Sequence, residues 1–143
     1  MISILTGIDS TASALEAERA RMDVTAQNIA NANTTRGIDG KPYQRQQVVF
    51  ESVLRAQQAG DISSPAGESV RVARIEKDNR PPRLIYNPGH PDADKHGMVA
   101  VPDINIHEEM VDMIESSRAY DANIAVVKNA HSIAMQALSI AKH

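Results

Sequence analysis

The 143-residue sequence has no cysteine and no tryptophan, and only one phenylalanine and three tyrosines. Without cysteine, neither a disulfide framework nor a thiolate metal site can form. Aromatic side chains bury the most area per residue, so their scarcity argues against a thick globular core. Alanine, isoleucine, valine and methionine supply most of the apolar content, and they suit the seams between helices. No apolar run approaches the length of a membrane span. The N-terminus, Met1-Ile2-Ser3-Ile4-Leu5, lacks the basic start and long apolar stretch of a secretory signal. Composition alone therefore places the protein in the cytoplasm, an inference that fails for chains exported without a cleaved signal. A large excess of either charge is missing too: the formal net charge is −3, which argues against general affinity for nucleic acid. The length is that of one ordinary domain.

The most ordered pattern lies near the start. Ile8, Leu15, Met22 and Ile29 recur every seven residues, and Ala12 and Ala26 widen the same stripe. A strict seven-residue apolar repeat leaves a narrow seam that winds against a partner helix. No proline or glycine interrupts residues 8–33, so a helix over residues 4–31, about 40 Å long, is expected. It ends in Asn28-Ile29-Ala30-Asn31-Ala32-Asn33-Thr34, whose short amides bond to nearby backbone rather than continue a helix. Asp39-Gly40-Lys41-Pro42 then predicts a turn.

The centre changes character. Residues 48–54 and 69–75 read as strands, the latter partly alternating, and residues 83–86 and 98–101 as two shorter ones. Turn-rich stretches separate them, from Gly60 to Gly67 and from Asn87 to Pro91. A small antiparallel β element with long loops is expected, too thin to stand alone.

The chain closes on a second helical stretch free of proline and glycine from Asp103 to His143. Asn105 and Glu108 have the spacing of a capping box, with Asp103 a competing cap. Glu108, Glu109, Asp112 and Glu115 place negative charge where the helix dipole favours it. Met110, Ser117, Ile124, His131 and Leu138 repeat every seven residues, and Met113, Tyr120, Val127, Ala134 and Ala141 follow three behind. His131 falls on this seam, which predicts a buried, hydrogen-bonded imidazole.

The expected fold is mainly α with a small β insert. Antiparallel N- and C-terminal coiled-coil helices, residues 1–35 and 103–143, flank a β-hairpin and loop region over residues 36–102. The seam residues Ile8, Leu15, Met22, Ile29, Met110, Met113, Tyr120, Ile124, Val127 and Leu138 form the expected assembly interface. Two helices alone leave much of this apolar surface wet, so the chain is expected to complete its core by assembling. The methionines suit contacts with non-identical neighbours.

Several of these residues carry a family resemblance. Ser13-Ala14-Leu15, Arg21-Met22 and Asn28-Ile29-Ala30-Asn31-Ala32-Asn33-Thr34 resemble the N-terminal signature of flagellar rod and hook proteins. Pro42-Tyr43-Gln44-Arg45 with Val48-Val49-Phe50, Tyr86-Asn87-Pro88-Gly89-His90-Pro91 with Asp94 and Gly97, and Pro102-Asp103-Ile104-Asn105 through Arg118-Ala119-Tyr120-Asp121-Ala122-Asn123 are similar to the proximal members of the flagellar basal-body rod family. The resemblance covers nearly the whole chain and is weakest over residues 57–82. It implies a structural subunit of the rod in the periplasm, exported unfolded through the flagellar type III apparatus, with terminal helices that line the export channel and order on assembly. It implies as partners further copies of the chain, the other proximal rod protein, the adaptor to the MS ring and the distal rod proteins.

Weighed as sites, His90, Asp92, Asp94 and His96 fit no zinc spacing, and Pro91 and Gly97 mark them as a turn-rich loop. No phosphate loop, nucleophile motif or acid/base pair is present, so no catalytic, cofactor or metal residue is expected. The polar cluster Asn28, Asn31, Asn33 and Thr34 is the candidate functional signature, either satisfying backbone at the helix end and across subunits or acting as a local helix stop. The competing reading for the whole chain is a cytoplasmic coiled-coil adaptor or secretion chaperone.

Overall fold

The computed structural model describes residues 2–54 and 68–140. The Gly60–Gly67 stretch, expected as a turn-rich loop, and residues 141–143, expected in the last helix, lie outside the described residues. The described chain runs α1 (Ile2–Ala30), β1 (Gln46–Leu54), β2 (Glu68–Lys77), β3 (Arg83–Tyr86), β4 (Met98–Val101) and α2 (Ile106–Ile140). None of its helices is long and apolar enough to cross a membrane.

Each boundary has a local cause. Helix α1 unwinds where Asn31 donates its side-chain amide to the Gln27 carbonyl at 2.8 Å, and where the Ala32 and Thr34 amides turn back to the Ile29 and Asn31 carbonyls. At α2, Asn105 wins over Asp103 as the cap. Its Oδ1 accepts the His107 amide at 3.1 Å, and its amide donates to Glu108 Oε1 at 2.9 Å.

The two helices pack antiparallel: Asn28 meets Glu109 at one end, and Ile8 lies beside Val127 towards the other. The β1–β2 hairpin covers a second flank of α1, where the Val70 amide donates to Ser13 Oγ. Dual cover explains which residues are buried. Ala17, Val24, Thr25 and Asn28 are enclosed, while Ile8, Leu15, Met22 and Ile29 are half-buried. Ala12 and Ala26, expected on the stripe, are exposed.

The strands form two separate two-stranded antiparallel sheets rather than one element. In the first, Gln46 faces Lys77, and the register slips between Val49 and Phe50. Pro81 and Pro82 offer no backbone donors, so the ladder of β2 does not continue through this link. Arg80 anchors this link by bonding Asp78 at 2.8 Å and approaching Asp103 at 3.5 Å.

The second sheet is closed by residues 87–97. Asp94 Oδ1 accepts the Met98 and His96 amides, both at 2.8 Å. These bonds, first from Met98 and then from His96, hold its carboxyl below the usual range. Asp92 accepts the Thr35 hydroxyl at 2.8 Å and so ties this loop to the end of α1. Gly97 has φ +74°, and a Cβ there would sit 3.0 Å from the Tyr86 ring and 3.1 Å from Pro88.

Among the described residues the apolar core is small: Ala17, Val24, Ala32, Val99 and Ile104. The largest fully buried side chains are polar, namely Glu109, Asn28 and Ser116.

Replacing Gly97 by Ala is expected to destabilise the β3–β4 hairpin by about 1–2 kcal/mol through its left-handed backbone alone, read as faster amide exchange at residues 84–86. Asp94 binds its proton less readily in the folded chain, so its contribution is present above its unfolded pKa and lost as pH falls through the folded one. The protection of the Met98 amide, relative to its intrinsic exchange rate, should fall as pH drops below the ordinary carboxylate range, and Asp94→Asn should remove that pH step.

Candidate functional site

The centre of the molecule is a polar knot that draws on three separated stretches of sequence. Asn28, on the last turns of α1, is 1% exposed. Its amide nitrogen donates to the Gln46 carbonyl at 2.8 Å and to Glu109 Oε2 at 2.9 Å. Its oxygen accepts the Gln46 amide at 2.9 Å and the Tyr43 hydroxyl at 3.1 Å. All four hydrogen-bonding positions of the side chain are filled. By pairing with both backbone groups of Gln46, the amide acts as a ladder partner for the first residue of β1.

Glu109, also 1% exposed, sits in the first turn of α2. Its second oxygen accepts the Arg45 Nε–H at 2.6 Å. Arg45 also lies 3.8 Å from Asp112, which in turn lies 3.8 Å from Arg21. An isolated buried carboxylate is strongly unfavourable, so Glu109 tolerates this position only because Arg45 and Asn28 both meet it. The Tyr43 hydroxyl is pushed above its ordinary range, first by burial and then by the negative charge of Glu109. It therefore stays protonated as the donor Asn28 requires. Once closed, the knot fixes where the hairpin leaves the helix pair and how the two helices align.

The other members of the Asn cluster act locally. Asn31 caps the Gln27 carbonyl and accepts the Thr34 hydroxyl at 3.2 Å, and the Thr34 carbonyl accepts the Tyr43 amide. Asn33 is exposed.

Along α2 the face towards α1 follows Glu109, Met113, Ser116, Tyr120, Asn123, Val127, Ala130 and Ala134, all buried or half-buried. Their alternating spacing of four and three is that of a helix-pair seam. Ile124 is half-buried beside it, but Met110 and Leu138 are exposed. His131 is exposed as well, which corrects the expected buried imidazole. The physical reason is register: Glu109 is drawn inward by Arg45 and Asn28, and the one-residue offset leaves Met110, His131 and Leu138 exposed, with Ile124 at the edge of the seam. Sequence reasoning missed Glu109, Arg45 and Tyr43. The signal that could have found Glu109 is its place four residues before Met113 and seven before Ser116.

The outward side of α2 is left apolar. Met110, Val111, Ile114, Met135, Leu138 and Ile140 are all exposed, and Val126 and Ile133, also exposed, border an open cleft shared with Ile8 and Thr11 of α1. Sixteen large apolar side chains are exposed among the described residues against five buried apolar ones, the reverse of a self-contained domain.

Residues 8–36 match the family described as flagella basal body rod protein, and residues 95–140 match the C-terminal region of the flagellar basal body rod FlgEFG proteins. The two segments contain α1 from Ile8 onward with its Asn cluster, and β4 with α2. Over its full length the chain is similar to proteins named flagellar basal-body rod protein FlgC. The relative from Borreliella burgdorferi is 42% identical, covering 97% of this chain and 98% of its own. That from Bacillus subtilis is 38% identical, covering 94% and 96%. The Salmonella typhimurium relative is 36% identical, covering 97% and 98%. The chain belongs to the FlgC family of flagellar basal-body rod proteins. Of the knot, Asn28 and Glu109 fall inside the matched segments, whereas Tyr43 and Arg45 fall between them.

Replacing Arg45 by Met leaves Glu109 buried without its cation and is expected to destabilise the fold by about 3–5 kcal/mol. Asn28→Ala, which strands Gln46 and Tyr43, is expected to lose about 2–4 kcal/mol. In a double-mutant cycle on chemical denaturation, Asn28→Ala with Glu109→Gln should be clearly non-additive. An additive cycle would mean that the two side chains act separately.

Proposed function

We propose that the chain is a structural subunit of the flagellar basal-body rod, and not an enzyme, assembling with further rod components through the uncovered faces of its two long helices. The observation that carries this reading is the apolar outward side of α2, which no part of the described chain covers, in a chain similar along its whole length to rod proteins. The competing reading, a cytoplasmic adaptor or secretion chaperone, finds no support among those relatives.

In finer terms, the subunit belongs to the proximal rod, in the periplasm. Residues 1–35 and 103–143 form one helical unit that winds as a coiled coil with neighbouring subunits into the tube around the export channel. Residues 36–102 stand on the outside of that tube. The seam residues Ile8, Leu15, Met22, Ile29, Met113, Tyr120, Ile124 and Val127 hold the helix pair, while Met110 and Leu138 meet neighbours. Copies of the chain, the other proximal rod protein, the MS-ring adaptor and the distal rod proteins are its neighbours, and the type III apparatus delivers it. Torque passes through the subunit as a rigid unit because the buried knot ties the outer hairpin to the helices.

Export in an unfolded state suits the low stability that a small apolar core gives. The same core predicts that the isolated helices gain protection from protease on assembly.

The test is a substitution that leaves the subunit intact but spoils the outward face. Met110→Asp with Ile114→Asp should leave the circular dichroism of the purified chain unchanged, because both side chains are exposed. In cells lacking the native gene it should abolish swimming and remove the protein from isolated basal bodies. Normal swimming with the double variant would show that this face contacts nothing.

A further inference from the structure

The uncovered sides of the two helices carry charge patterns that match each other. On α1, Ala12, Glu16, Arg19, Asp23 and Ala26 are all exposed, at alternating steps of four and three that keep them in one stripe. On α2, read backwards, Ala122, Arg118, Glu115, Val111 and Glu108 are all exposed at the same steps. Each stripe has a glutamate followed three residues later by an arginine, Glu16 with Arg19 and Glu115 with Arg118. None of these four side chains takes an ion pair among the described residues.

The fold sets the two motifs at one height. Arg21 approaches Asp112 at 3.8 Å, and Ile8 lies beside Val127. Counting along both helices between these points puts Glu16 level with Arg118 and Arg19 level with Glu115. Both stripes turn away from the partner helix, so the motifs cannot meet within one chain.

They can meet between chains. The helices of one chain run antiparallel, so a second copy standing beside the first in the same orientation presents its α2 antiparallel to the first copy's α1. At equal height, Glu16 then faces Arg118 and Arg19 faces Glu115. Ala12 faces Ala122, which lets the two backbones approach closely, and Asp23 faces Val111. No like charges are directly opposed. A slide of one heptad, about 10 Å, faces Glu16 with Ala125 or Val111 and parts the motifs. Exposed ion pairs add little affinity, but they reject wrong registers and wrong partners. The contact joins two different patches, so in identical chains it repeats from copy to copy instead of closing as a two-fold dimer.

We infer that the free stripe of α1 in one copy packs level against the free stripe of α2 in the next copy of this chain, with Glu16 on Arg118 and Arg19 on Glu115. The inference rests on the rod reading above and specifies one side-by-side contact within it.

The test exchanges the charges. Glu16→Arg with Arg19→Glu alters α1, and Glu115→Arg with Arg118→Glu alters α2. Each exchange conserves net charge and touches only exposed side chains, so the circular dichroism of the purified chain should not change. Either exchange alone sets like charges against each other and should reduce the swimming fraction at least tenfold at equal protein level. All four substitutions together restore both pairs and should return swimming to within twofold of the native chain. Normal swimming with one exchange would overturn the contact; a two-fold pairing of α1 with α1 would give that result for the α1 exchange. A fourfold variant no better than the single exchanges would overturn it too. The chain has no native cysteine, so Ala12→Cys with Ala122→Cys offers a second readout. Mild oxidation of basal bodies should give a ladder of disulfide-linked copies from the double variant and from neither single one. Swimming cells whose basal bodies contain the double variant but give no ladder would overturn the contact and leave the rod reading intact. Absence of the unaltered chain from basal bodies would instead overturn both.

Discussion

A buried carboxylate that must not stand alone sets the rest of this structure. Glu109 lies at the start of the second helix with 1% of its surface exposed, and its two oxygens are met by Asn28 and Arg45. The three residues come from the end of one helix, the root of a hairpin and the beginning of the other helix. Satisfying Glu109 therefore aligns the helices, seats the hairpin against α1 and closes the connecting turn at once. A partly formed knot is worse than none, because it leaves charge or amide groups buried without partners. The fold therefore closes as a unit, although its apolar core is small.

Polar residues at the centre and apolar ones outside suit a subunit more than a free-standing domain. In a monomer, exposed Met110, Ile114, Ile133 and Leu138 would favour non-specific association. In the assembly proposed above, the same side chains would become shared core. The polar knot then serves a purpose that apolar packing serves poorly: it specifies one alignment of the helices before any neighbour is present. That division of labour, alignment within the chain and adhesion between chains, is consistent with membership of the rod family.

Local features were legible in the residues themselves. Asn105 marked the start of α2, the proline- and glycine-free runs marked both helices, and residues 83–86 and 98–101 were found as strands with the bounds the structure has. The four strands were not legible as two separate sheets, because that depends on where the Pro81-Pro82 link directs the chain. The seam of α2 was legible only in part. Met113, Tyr120 and Val127 face α1, but Met110 and Leu138 do not. Two apolar series run along this helix, and apolar spacing alone cannot rank them. The choice was made by Glu109, a residue that hydrophobic pattern analysis assigns to solvent.

What the amino-acid sequence determined unaided is thus the set of elements and their ends, since caps, turns and helix-breaking residues act over a few neighbouring positions. Which side of each helix faces inward was decided by tertiary structure. The decisive pairing joins Arg45 to Glu109 across 64 residues of chain, and a buried charge becomes tolerable only when its distant partner arrives.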